Sequence, residues 1–238
     1  MLIIGLLFLI DVIRFGKKTF RFIKFGLIFT GIIFGLDIIV LIFNCQIFQN
    51  MPTGFLIFGN LIGIAKIIIF TSAGLYYCSL YNFFPLPIMS GEKKISPAYL
   101  EITISGFLAA FIYSYLLFKI TDPQIPLLLK TQNQRAPAFV TSFVMLELAI
   151  AEEIIFRLGI QNFIVKVFDC KYWTAILITS FFWAVSHLGT LDPYWVKFVQ
   201  IFPTGIMLGY IFKKYGLEST IFIHGTYNVG MTLLSQKF

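Results

Sequence analysis

The sequence predicts an all-α polytopic membrane helix bundle of about eight transmembrane helices, seven clear and one short at the N-terminus. Three observations predict it. Hydrophobic residues make up 58% of the 238 and charged residues 12%, with a mean hydropathy of +0.89, far from the mixture of a soluble domain. Apolar stretches close to the ~20 residues that cross a bilayer recur along the chain. The connections between them are polar and rich in Pro, Asn, Gln and Lys, with no soluble basic domain that would suggest nucleic acid.

In chain order, Met1 to Ile13 is short, carries Asp11 and is followed rather than preceded by basic residues. A cleaved signal peptide shows positive charge first and a small-residue cleavage site, so this stretch is expected to remain as a span. The clear spans are expected near 25–43, 54–81, 102–118, 137–167, 173–191, 195–212 and 217–234. The 137–167 stretch is too long for one upright crossing, so it tilts, breaks near Gly159 or leaves the membrane as an interfacial helix. Gly31 with Gly35, and Gly205 with Gly209, are small residues four apart that would let helices approach closely. The linker from Thr121 to Pro137 divides the chain into N-terminal transmembrane helices, 1–134, and a second half, 135–238, within one continuous bundle.

Basic residues give the orientation, because short cytoplasmic loops carry the excess of lysine and arginine. With Arg14, Lys17, Lys18, Arg21 and Lys24 inside, alternation also puts Lys93, Lys94, Lys166, Lys171, Lys213 and Lys214 inside. The other side receives Lys119, Lys130, Arg135, Lys197 and Lys237, and both termini face outward. The net charge of +7 is thereby a topology signal and a fit to anionic headgroups. Cys45, Cys78 and Cys170 lack metal-ligand spacing and read as small apolar packing residues.

Chemistry is expected where ionisable groups interrupt apolar sequence, since each costs roughly 2.5 to 3.5 kcal/mol on insertion scales. Glu152 and Glu153 adjoin in such a segment, followed by Arg157; the chain's two histidines, His187 and His224, follow in others. Glu153 and Arg157, four apart, share a helix face and can pair, while Glu152 points about 100° away. One carboxylate is neutralised and the other is free. Trp183 and His187 lie on one helix face, with Ser186 a local hydrogen-bond partner rather than a nucleophile; His224 and Asn228 are likewise one turn apart. Amide hydrolysis needs a base to activate water, donors where the carbonyl oxygen gains charge, and an acid for the leaving amine. Glu152 with His187, and His224 with Asn228, contain those groups.

The pattern resembles the CAAX protease and bacteriocin-processing family of intramembrane glutamate proteases, also called the Abi family. Its motifs are Glu-Glu-x-x-x-Arg, Phe-x-x-x-His and His-x-x-x-Asn or Asp, matched here by Glu152, Glu153 and Arg157, then His187, then His224 and Asn228. Trp183 stands where the second motif has Phe, with Phe182 one position earlier. The resemblance covers roughly 135–235 and makes the second half a catalytic core. It implies an intramembrane endopeptidase with Glu152 as general base, His187 as its partner, His224 and Asn228 as the oxyanion site, and Glu153 and Arg157 organising them. The substrate implied is a membrane-associated protein or peptide, cut near its C-terminal tail or within a precursor. Zincins place two histidines four apart on one helix with a Glu beside the first; without that spacing, no catalytic metal or other cofactor is expected.

Two other classes fit the sequence less well. A non-proteolytic scaffold or immunity protein of the same fold would tolerate loss of the six residues, whereas here the set is intact. A carrier is suggested by Asp11, Asp37, Lys66 and Glu147 in or near spans, but they share no spacing. A multi-pass protein of a prokaryotic cytoplasmic membrane is the expected setting. Counted by helical rise, His187 falls toward the outer side and His224 toward the inner one. A shared cavity is therefore an expectation for the structure to test.

Overall fold

The computed structural model describes residues 2–43, 53–89, 97–124 and 137–235. Cys45, Lys93, Lys94, Lys130, Arg135, Lys237 and most of the three polar connections lie outside the described residues. The elements are α1 (Leu2–Arg14), α2 (Gly16–Phe20), α3 (Ile23–Phe43), α4 (Thr53–Leu80), α5 (Pro97–Thr121) and α6 (Ala138–Glu152). A π-helical segment (Glu153–Gln161) continues α6 into α7 (Asn162–Phe168); α8 (Tyr172–Ser186), α9 (Tyr194–Tyr215) and α10 (Leu217–Ser235) follow. The protein is an all-α membrane helix bundle. Among the described residues four helices are long and apolar enough to cross a membrane: Ile23–Phe43, Gly59–Leu80, Pro97–Thr121 and Tyr194–Tyr215.

The bundle is built around the π segment, which is buried at every position except Ile155. On one side Phe156 and Ile160 join Trp183, Leu208 and Ile223 from α8, α9 and α10. On another Ile154 and Leu158 meet Phe29, Leu75 and Phe212 from α3, α4 and α9. A third cluster joins Phe8 of α1 to Ala73, Tyr77 and Phe163. The outer faces, by contrast, expose Ile28, Ile32, Leu41, Leu108 and Ile112. Leucine and isoleucine facing outward suit hydrocarbon as solvent, in which only polar backbone must be hidden.

The long 137–167 stretch neither breaks at Gly159 nor ends there; it widens. The wider turn leaves main-chain carbonyls short of partners, and the Asn162 side-chain amide donates to those of Arg157 (3.0 Å) and Leu158 (2.8 Å). Leu158 also needs room: a Cβ on Gly74 of α4 would lie 2.5 Å from its carbonyl oxygen. Gly205 and Gly209 do bring helices together, against Ser180, Trp183 and Ile176 of α8, with Gln161 touching Gly209. Gly31 and Gly35 do not, since a Cβ on either meets nothing within 4 Å among the described residues. The close contact of α3 is made by Gly26, against the Ile68 backbone.

Polar ties complete the frame. Pro203 inside α9 has no N–H for the Val199 carbonyl, which accepts the Tyr113 hydroxyl of α5 instead (2.7 Å). Tyr227 of α10 donates to Ser114 of α5 (2.8 Å), and Gln200 of α9 hydrogen-bonds both. Asp11 pairs with Lys166 and accepts from the Tyr77 hydroxyl, fastening α1 to α7 and α4. Glu147 lies against Asp37 of α3. Three of the charges that suggested a carrier, Asp11, Asp37 and Glu147, thus join helices. Arg21 donates to Ser79 at the end of α4, and Lys213 sits over Phe83 just beyond it (4.6 Å). Those two basic groups, predicted on one side, do share one end of the bundle. Cys78 is buried in the core, as expected of a packing residue.

Candidate active site

Glu152 is the last residue of α6, and its side chain turns into a cavity of about 370 Å³ bounded by α5, α6, α8, α9 and α10. Its carboxylate is a quarter exposed, whereas Glu153, the first residue of the π segment, is 1% exposed. Adjacent acids therefore occupy two environments. Glu153 faces Arg157, with Nε 3.5 Å from Oε2, both deeply buried. The guanidinium stacks over the Trp183 ring at 4.6 Å, a cation–π contact that partly replaces lost hydration.

The two histidines reach the same carboxylate despite their different depths along their helices. His187 is the C-cap of α8, with Nε2 3.5 Å from Glu152 Oε1. Its Nδ1 donates to the Trp183 carbonyl at 2.8 Å. A carbonyl can only accept, so in the neutral ring the Nε2 lone pair faces Glu152. Ser186 donates to the same carbonyl (2.7 Å) and touches Nδ1 at 3.3 Å, acting as a local partner. His224 lies mid-way along α10, its Nδ1 2.9 Å from Glu153 Oε1 and its Nε2 3.9 Å from Glu152 Oε2. With Nδ1–H held by Glu153, His224 offers a donor at Nε2 only as imidazolium. Asn228, one turn on, lines the cavity and donates to the Met145 carbonyl at 3.3 Å.

All six predicted residues are thus in one place. Glu152, His187, His224 and Asn228 line the cavity; Glu153 and Arg157 stand behind it. Two further residues of the site were given no part in its chemistry by the sequence. Trp183 is fully buried, and its Nε1–H donates to Glu152 Oε2 at 2.8 Å, while its ring meets both imidazoles edge-on at 5.5 and 5.3 Å. A phenylalanine at that position has no such donor, so the departure from the motif adds a hydrogen bond to the Glu152 carboxylate. Lys197, in the first turn of α9, lines the cavity beside the Thr190–Leu191 loop. Among the described residues no three His, Cys, Asp or Glu side chains form a group that could hold a metal ion.

Residues 134–230 match the family described as type II CAAX prenyl endopeptidase, Rce1-like. The chain is also 26% identical over 122 residues to the sporulation-killing factor biosynthesis protein SkfC of Bacillus subtilis (strain 168). That alignment takes in 48% of this chain and 24% of SkfC, so the chain spans about a quarter of this relative's length. No solved structure matches significantly. The resemblance read from the three motifs is borne out, and the family it leads to is one of membrane peptidases.

Proposed function

We propose, from the premise that residues 134–230 are similar to the Rce1-like CAAX prenyl endopeptidases, that this protein is a glutamate-type intramembrane endopeptidase. Its substrate is a membrane-associated protein or peptide, cut near its C-terminal tail or within a precursor. The observation that carries the reading is one carboxylate, Glu152, facing two imidazoles across a cavity within an apolar bundle.

Water between Glu152 Oε1 and His187 Nε2 donates one hydrogen to each and directs an oxygen lone pair at the substrate carbonyl. As the new C–O bond forms, the water proton passes to Glu152 and the carbonyl π electrons move onto oxygen. The oxyanion is met by Nε2–H of the His224 imidazolium and by the Asn228 amide. Glu152 then returns its proton to the amine as the C–N bond breaks, leaving an acid and a free amine. Glu153 and Arg157 are positioning residues: the pair fixes Nδ1 of His224 without adding net charge. Trp183 holds Glu152 in one rotamer. Residues 1–134 act as the supporting half of the bundle, and α5 contributes Ala110 to the cavity wall.

Each assignment has its measurement. Mass spectrometry of new chain termini, comparing membranes carrying the wild type with membranes carrying Glu152→Gln, should reveal neo-termini only with the wild type. Identical termini would leave the scaffold or immunity reading in its place. The site is assigned no metal or other cofactor, so cleavage should survive a strong chelator; loss restored by zinc would overturn that. Trp183→Phe should preserve the fold and lower kcat about tenfold with KM little changed, because one hydrogen bond to a charged group is removed. An unchanged kcat would reduce Trp183 to packing.

A further inference from the structure

The loop that leaves the catalytic His187 is held like a strand, yet it does not use all of its own hydrogen bonds. α8 ends at Ser186, His187 caps it, and the chain reaches α9 at Tyr194. A turn closes at once: the His187 carbonyl accepts the Thr190 N–H (3.4 Å) and the Thr190 hydroxyl (2.9 Å). Asp192 then pairs antiparallel with Gln124, just beyond the end of α5, each N–H donating to the other's carbonyl at 2.8 Å. The loop is clamped on both sides. Between the clamps lies Leu191, half-buried and lining the cavity with Thr190.

Thr190 spends its N–H on His187, whereas the N–H and C=O of Leu191 have no hydrogen-bond partner among the described residues. The bridge occupies the polar groups of Asp192 and leaves those of its neighbour unused. Main-chain groups beside apolar walls are costly when unpaired, and Leu148, Ile201 and Leu208 of this cavity offer no side-chain bond. An unpaired strand edge is a template for another chain. A single residue of an extended peptide carries both complements, an N–H and a C=O at the spacing of a β pair. Leu191 is also near the chemistry: four residues span at most about 14 Å, and the turn on His187 shortens that reach.

We propose that Leu191 holds the substrate main chain as an added strand, donating its N–H to and accepting with its carbonyl from one residue of an extended segment. This rests on the endopeptidase reading above and names the substrate's form: a segment that is extended, or readily unwound, where it enters the cavity. A helical segment has its N–H and C=O groups bonded internally, so it cannot pair until it opens. The residue paired with Leu191 lies within about three of the scissile bond, given the short reach from His187. Gln124 and Asp192 are positioning residues, because their two bonds fix the loop that carries Leu191. Recognition of this kind reads backbone first, and side chains only through the pockets on either side.

The test uses the full-length protein in detergent or vesicles and a peptide that it cleaves, taken from a mixed-sequence library by mass spectrometry of the products. That peptide is remade with one backbone N–H at a time replaced by an ester oxygen, the scissile amide left intact. With wild type, the ester at one position within about three residues of the cut should lower kcat/KM about 5- to 50-fold, chiefly through KM, and its neighbours much less. Leu191→Ala keeps both main-chain groups and should keep the penalty at that position. Placing the α-hydroxy analogue of leucine at 191 by amber suppression deletes the N–H alone; it should raise KM about tenfold and shrink the penalty, since the two bonds hold one residue jointly. An even scan with wild type overturns the proposal and assigns the Leu191 groups to water. A penalty that Leu191→Ala abolishes, or that the α-hydroxy analogue leaves unaltered, overturns it as well. Cleavage that persists in Glu152→Gln with a position-specific penalty removes the mechanism and keeps the strand; abolished cleavage with an even scan does the reverse.

Discussion

Glu152→Gln is expected to lower kcat/KM by about 10²- to 10⁴-fold, the usual contribution of a positioned general base, while the protein remains folded in the membrane. The substitution is nearly isosteric, and its amide oxygen can still accept the Trp183 indole N–H now directed at Oε2. What it cannot do is take a proton from water. Thermal unfolding in detergent should therefore match the wild type, and peptide cleavage should not. A variant that keeps even a tenth of wild-type turnover would move the base elsewhere, with His187 the next candidate.

The second large effect is on stability. Arg157→Leu should destabilise the bundle by about 3–5 kcal/mol, the range for removing one partner of a buried ion pair. The guanidinium is fully buried between the Glu153 carboxylate and the Trp183 ring. Its loss leaves a buried carboxylate with only an imidazole beside it. Pairing the change with Glu153→Gln removes the stranded charge and should recover much of the loss. Denaturant or thermal unfolding of the four proteins in the same detergent measures this cycle. Additive losses would show that the two side chains do not act as a unit.

Much of this was legible in the sequence, because hydropathy fixes which segments are helical when lipid is the solvent. All eight apolar stretches are helices, and the paired acids, the arginine, the histidines and Asn228 come together. Four features were not legible there. Helical rise counted from span ends separated His187 from His224, but the helices that carry them differ in length and offset, and only tertiary packing sets their relative heights. Trp183 read as one aromatic exchanged for another, since bulk is visible in a motif and the direction of an indole N–H is not. Lys197 read as a loop-side charge, as lysines at span ends usually are, and only the facing helices show it turned inward. Gly31 and Gly35 carried the same signal as Gly205 and Gly209, yet nothing packs against them among the described residues.

The widened turn after α6 sets a rule for how such a chain can vary. One residue removed between Glu153 and Arg157 would tighten that turn and rotate every later side chain by about 100° about the axis, carrying Arg157 away from the indole and Asn162 away from the carbonyls it satisfies. Point substitutions of matching shape leave that phase untouched, whereas an indel of any chemistry destroys it. Length, rather than composition, is the property of this stretch that descent has to preserve.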